Sequence, residues 1–232
     1  NESARLFKKS ADLGNPNAMA YYGEMLFYGK GIKSDIDESI KYLKKSIELD
    51  NILGMQIYGQ ILLSSNDIEK LKEAEKLFKI LIQRGDAIVK NENGIGNIHK
   101  GKHELHIYGN ALSLYAGMLY YGIGVQTNKN EAIKLFKKSI ELNNQQGIFS
   151  YATILLENDD AQSKLKAAEY FKQIKDINSD AMFEYGMMLL TGNGIPINKQ
   201  EAVECIRKAV EHENPRAIFQ YGRMLLEGNG VQ

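Results

Sequence analysis

Apolar positions along this chain fall into two alternating kinds of stretch. The first kind keeps them on one stripe. At residues 132–141, Ala132, Leu135, Phe136, Ser139 and Ile140 stand at i, i+3, i+4, i+7 and i+8, while Lys134, Lys137, Lys138 and Glu141 take the opposite side. That spacing predicts an amphipathic helix with one buried face. The register returns as Ser3, Leu6, Phe7, Ser10, Ala11; as Ser39, Tyr42, Leu43, Ser46, Ile47; as Ala74, Leu77, Phe78, Leu81, Ile82; and as Ala202, Cys205, Ile206, Ala209, Val210. Ala167, Tyr170, Phe171 and Ile174 keep most of it. These are B helices.

The second kind is apolar nearly all round, as in Ala18, Tyr22, Gly23, Leu26, repeated at Ala181, Tyr185, Gly186, Leu189 and at Ala217, Tyr221, Gly222, Leu225. Such a pattern predicts a helix packed on several sides, here an A helix. A helical Gly costs about 1 kcal/mol relative to Ala, so the Tyr-Gly pair implies close approach of a partner helix. Between A and B lie loops of the form Gly-x-Gly-apolar, beginning at Gly29, Gly122, Gly192 and Gly228. They follow helices rather than strands and lack a third glycine, so they read as left-handed caps and not as phosphate cradles.

The dipeptide of Tyr and a small residue fixes the period. Its tyrosines are Tyr22, Tyr58, Tyr115, Tyr151, Tyr185 and Tyr221, at spacings of 36, 57, 36, 34 and 36 residues. One unit of about 36 residues is therefore copied six times, with an insertion of 21 residues before the third Tyr. In units two and four, Ser64-Ser65-Asn66-Asp67 and Glu157-Asn158-Asp159-Asp160 replace the glycine loop.

The order Ala-x3-Tyr-Gly-x2-Leu-x2-Gly-x-Gly-Ile, followed by a Ser- or Ala-anchored amphipathic helix, resembles the Sel-1-like repeat, a relative of the tetratricopeptide repeat. The resemblance covers nearly the whole chain outside the insertion, although no Trp is present. It implies an all-α, right-handed solenoid superhelix of tandem helix-turn-helix repeats, with residues 1–232 forming a single array and 86–107 an insertion. Because the chain opens on a B helix and closes just after an A helix, the expectation is a piece of a longer array. The core should hold the Tyr of each A helix and the Leu/Phe pair of each B helix.

Composition narrows the function. Lys plus Arg and Asp plus Glu both number 29, so no long-range field gathers nucleic acid or anionic lipid. No stretch reaches the roughly 18 consecutive apolar residues of a membrane span. Cys205 is the single cysteine, which points to a reducing compartment, with the cytoplasm expected and the lumen of the endoplasmic reticulum or a membrane-associated parent as alternatives. At a core position of a B helix, that cysteine reads as a small hydrophobe. Asp35, Asp37, Asp159 and Asp160 fall between helices, where Asp caps them.

Three of the four histidines, His99, His103 and His106, sit in the insertion with Glu104. His99 and His103 are four apart and could share a zinc ion on one helical face. Gly101 lies between them and the surrounding Asn, Gly and Lys read as a solvated loop, with residues 86–104 expected to be mobile. No cofactor is expected, and no acid, base and nucleophile converge. The reading is a non-enzymatic scaffold or adaptor for a protein or peptide partner, the alternative being a metal or enzymatic role for the insertion. If, as in tetratricopeptide-like arrays, A helices line the inner wall, the positions two before, two after and five or six after each Tyr face the partner. The candidates on that wall are Glu24, Phe27, Tyr28, Gln60, Tyr120, Tyr121, Phe149, Thr153, Phe183, Met187, Phe219 and Arg223.

Overall fold

A computed structural model describes residues 1–91 and 98–228, with side chains omitted at 91 and 98–100. Among the described residues it contains helices and no strand, and it divides into two compact units, Asn1–Leu142 and Asn143–Gln232. The first holds α1 (Glu2–Asp12), α2 (Pro16–Tyr28), α3 (Ile36–Glu48), α4 (Ile52–Leu63), α5 (Ile68–Asn91), α6 (Ile98–Tyr121) and α7 (Lys129–Glu141). The second holds α8 (Gln145–Leu156), α9 (Ala161–Ile174), α10 (Ser179–Thr191), α11 (Lys199–Glu211) and α12 (Pro215–Glu227). Even-numbered helices are the A helices and odd-numbered ones the B helices.

Capping chemistry sets the boundaries. Asn15, Asn51, Asn144, Asn178 and Asn214 precede A helices, and each side-chain oxygen accepts an amide of the first turn. Asp35, Asn128, Asp160 and Asn198 do the same for B helices. Gly29 and Gly192 close α2 and α10 at φ 67° and 75°, the left-handed conformation that glycine adopts without a Cβ clash. The turn from B to A reuses that conformation with other residues: Asp50, Asn143 and Glu213 stand at φ 60°, 52° and 55°, each directly before an Asn cap.

Each A helix packs on the B helix that follows it, and each B helix of a unit on the next A helix of that unit. At the centre of the α2–α3, α4–α5 and α10–α11 contacts the glycine after the Tyr meets one large B-helix side chain. A Cβ on Gly23 would come within 2.7 Å of Leu43 Cγ, one on Gly59 within 2.9 Å of the Phe78 ring, and one on Gly186 within 3.1 Å of Ile206 Cγ1. Leu43, Phe78, Phe136, Phe171 and Ile206 are all 0% exposed. This approach offsets the propensity cost of the helical glycines. Full burial of each such side chain contributes about 1.5 to 3 kcal/mol.

B-helix serines add hydrogen bonds to the same contact. Ser39 Oγ donates to the Gly23 carbonyl at 2.6 Å, Ser46 Oγ to Pro16 at 2.8 Å and Ser139 Oγ to Gly109 at 2.8 Å. Neighbouring A helices also touch, α2 with α4 and α4 with α6.

The insertion departs from the expected loop. Its described residues are helical: α5 and α6 each run 24 residues, where the other helices run 11 to 14. A long helical hairpin therefore replaces most of the loop. The cause is burial that continues past the repeat. Tyr108 is 2% exposed, and it lies so close to α5 that a Cβ on Gly85 would run into its ring. The Asp86 carboxylate accepts from both the Tyr108 hydroxyl and the Lys138 ammonium of α7. Residues 92–97 lie outside the described ones, so the expectation of mobility is untested there.

Candidate functional site

A helices are apolar nearly all round, so the open part of each is whatever its neighbours leave uncovered. In the first unit that part lies towards the C-terminal ends of α2, α4 and α6. Five and six residues after the repeating Tyr stand Phe27 and Tyr28 on α2, and Tyr120 and Tyr121 on α6. Each pair packs edge to face with ring centroids 5.0 Å apart. Phe27 is half-buried against the unit's core, while Tyr28 and Tyr121 are 55% and 52% exposed. On α4, between these two helices, Leu63 occupies the same register and also packs half-buried on that core. Leu63 is not among the sequence candidates, although its place five after Tyr58 is the signal that marks it.

Charges frame the aromatic rings. The Lys30 ammonium lies 4.9 Å from the Tyr28 centroid and pairs with Glu24 at 2.8 Å. The Lys129 ammonium lies 4.8 Å from the Tyr120 centroid. Such cation–π contacts at exposed sites are worth about 0.5 to 1 kcal/mol and hold the rings in place. Glu24 is thus engaged within its own helix end, and Gln60 on α4 is half-buried. The first unit brings Glu24, Phe27, Tyr28, Gln60, Tyr120 and Tyr121 onto three helices that pack in sequence.

The position two before the Tyr faces neighbouring helices instead of an open wall. Ala20, Gln56 and Ser113 are 0%, 8% and 2% exposed, and Gln56 Oε1 and Ser113 Oγ have no hydrogen-bond partner. Phe183, also two before its Tyr, is likewise covered. It is 5% exposed, and the Arg216 guanidinium of α12 lies over its ring, 4.7 Å from the centroid.

The other candidates of the second unit do not form a comparable stripe. Phe149 is half-buried, edge to face with Phe171 at 5.7 Å. Thr153 Oγ1 donates to the Phe149 carbonyl one turn back, a bond that occupies its hydroxyl within the helix. Met187 is half-buried, Phe219 is exposed, and Arg223 pairs with Glu227 at 2.9 Å.

No group of three or more His, Cys, Asp or Glu side chains able to hold a metal occurs among the described residues. His103 and His106 are exposed on α6, His106 Nε2 lying 3.3 Å from Asn110 Nδ2. His99 falls on the first turn of α6, where side chains are outside the described ones. Cys205 is 4% exposed, and burial pushes its thiol up from the ordinary value, away from the thiolate a nucleophile needs. Asp35 and Asp160 cap α3 and α9. No helix among the described residues is long and apolar enough to cross a membrane.

A sequence model of the Sel1 repeat matches residues 1–15, 16–51, 109–144, 179–214 and 215–232, more than half of the chain. No match occurs among curated proteins. A Sel1 repeat protein from Oxalobacter formigenes superposes with a TM-score of 0.63 at 20% identity, covering 91% of this chain and 79% of its own. A protein of Klebsiella pneumoniae subsp. pneumoniae, crystallised as a sel1 repeat protein, gives a TM-score of 0.54 at 16% identity, covering 95% of this chain and 98% of its own. The protective antigen c5321 of uropathogenic Escherichia coli, which displays an SLR fold, gives 0.30 at 20% identity over 99% of this chain and 68% of its own.

Proposed function

The chain belongs to the Sel1 repeat family, whose members are generally protein-interaction scaffolds, and from that premise we propose that it binds a peptide segment of a partner protein along α2, α4 and α6. The observation that carries the reading is the paired aromatic rings at one register on α2 and α6, with Leu63 between them. Tyr, Phe and flanking cations supply rigid apolar area at small entropic cost, the chemistry of docking surfaces. Glu24 and Gln60 give the stripe a polar edge that can orient a peptide backbone or a basic side chain. Met187 and Arg223 hold the corresponding register in the second unit.

The test uses a displayed peptide library selected on the intact chain. Tyr28→Ala combined with Tyr121→Ala should weaken the selected peptides at least about tenfold, which is about 1.4 kcal/mol. Both side chains are largely exposed, so the melting temperature should hold. Unchanged peptide binding by the folded double variant would reject this surface.

A further inference from the structure

Helices α5 and α7 are successive B helices of the first unit, and a groove of about 630 Å³ opens between them. Lys79, Ile82, Asp86 and Lys90 follow one face of α5 at helical spacing, and Glu131, Lys134, Leu135 and Lys138 follow one face of α7. The inner side is apolar. Ile82 and Tyr115 of α6 are half-buried and pack on the core of the unit, and Leu135 is half-buried on α7.

The insertion enlarges this groove. Asp86, Ala87 and Lys90 lie beyond the repeat, so without the added turns of α5 its wall would end near Gln83. The rims are charged: the ammonium groups of Lys79, Lys90, Lys134 and Lys138 stand with two carboxylates, of Asp86 and Glu131. Lys79 pairs with Glu75 at 2.6 Å and Lys134 lies 3.5 Å from Glu131, the two lysine side chains being 57% and 76% exposed. Surface pairs of this kind hold weakly, so both ammonium groups can turn to the carboxylate of a partner. Lys90 is exposed at the far end of the wall. The chain as a whole is electrically balanced, which makes the excess of lysine a local property of this lining.

We infer that the groove between α5 and α7 binds a short acidic segment of a partner protein, one large aliphatic side chain flanked by carboxylates. The aliphatic side chain lies on Ile82, Tyr115 and Leu135, and a groove of this volume has room for it. The flanking carboxylates take Lys79 and Lys134 on one side and Lys90 on the other. Eleven residues of helix separate Lys79 from Lys90, a rise of about 16 Å. About five residues of extended chain cover that distance. A peptide suits the groove better than a nucleic acid does. Asp86 and Glu131 repel a strand charged at every phosphate, whereas they accept hydrogen bonds from peptide N–H groups. This surface is separate from the aromatic stripe on α2, α4 and α6, and the inference does not rest on that stripe.

Fluorescence anisotropy on the 232-residue chain tests it, with a labelled, end-capped peptide of one leucine between pairs of glutamates as the probe. The wild type should bind this peptide at least about tenfold more tightly than a version with glycine for leucine or lysine for glutamate. Lys90→Gln combined with Lys134→Gln should weaken it at least about fivefold. Both lysines are exposed, so the melting temperature should hold. Lys76→Gln with Lys137→Gln removes the same charge from exposed positions of the same helices outside the groove, and should leave binding unchanged. Tyr28→Ala with Tyr121→Ala should leave it unchanged as well. No binding of the acidic peptide overturns the inference, and so does equal binding of the glycine version or equal loss in the Lys76 and Lys137 variant. Loss in the tyrosine variant would move the peptide to the aromatic stripe. Tighter binding of an oligouridine would assign the groove to nucleic acid, and self-association abolished by the Lys90 and Lys134 changes would assign it to a second copy; either result rejects the acidic peptide.

Discussion

Phe136 shows how much one side chain carries. It is 0% exposed and sits where each B helix presses on its A helix. Truncation to Ala leaves a cavity that the surrounding helices fill only in part, and Phe136→Ala should cost about 3 to 5 kcal/mol, read as a lowered denaturant midpoint of the first unit. Glu213 makes the opposite case. At φ 55° it holds a left-handed conformation that a Cβ disfavours by about 1 kcal/mol, and what the turn gains there is backbone bonds that glycine would keep, from Glu213 N–H to Val210 and from Asn214 N–H to Ala209. Glu213→Gly should therefore raise the melting temperature of the second unit, by a stabilisation of up to about 1 kcal/mol, since relief of the clash is opposed by the larger unfolded-state freedom of glycine. The buried stripe of α7 was legible because its period is clean. The left-handed residues were not, since Asp50, Asn143 and Glu213 are not the glycine that this conformation favours; their shared signal is the Asn that follows.

At the scale of elements, the α5–α6 hairpin separates what sequence could and could not say. Asn, Gly and Lys argued for a loop, yet Leu81, Gly85 and Ile88 continue the α5 stripe, and Ile107 and Tyr108 lead at helical spacing into Ala111 of the third repeat. The decisive contacts are long-range: Asp86 joins α5 to Tyr108 on α6 and Lys138 on α7. Such pairings cannot be read from local composition. Burial pushes the Asp86 carboxyl up, but the hydrogen bonds from Lys138 and Tyr108 outweigh it and leave the group below its ordinary value. A carboxyl whose folded pKa is depressed stabilises the fold above its unfolded pKa, and that contribution is lost as pH falls through the folded value. Asp86→Asn should thus lower stability at neutral pH and flatten the decline into acid, with the two proteins converging below the carboxylate range. Melting curves across pH would check it, and an unchanged acid slope would show that Asp86 contributes nothing to the hairpin.

For the whole molecule, the repeat was legible because every copy solves the same packing problem with the same Tyr and small residue. The candidate surface was legible only in part. Phe183 and Phe219 hold one register, yet one is 5% and the other 68% exposed, because the covering is decided by the next helix and not by the helix itself. A helices apolar on all sides give the period nothing with which to single out an open face. The same uniformity bears on how the chain reaches its fold. Repeated contacts of one design allow misaligned pairings to compete as kinetic traps, although α5 and α7 carry Ala74 and Ala132 where α3 carries the Ser39 that bonds Gly23. The lengthened hairpin breaks that degeneracy. Only α7 brings Lys138 to Asp86, and only α6 carries a Tyr108 to lie on Gly85, so these contacts act as a registration mark that disfavours a shift by one repeat.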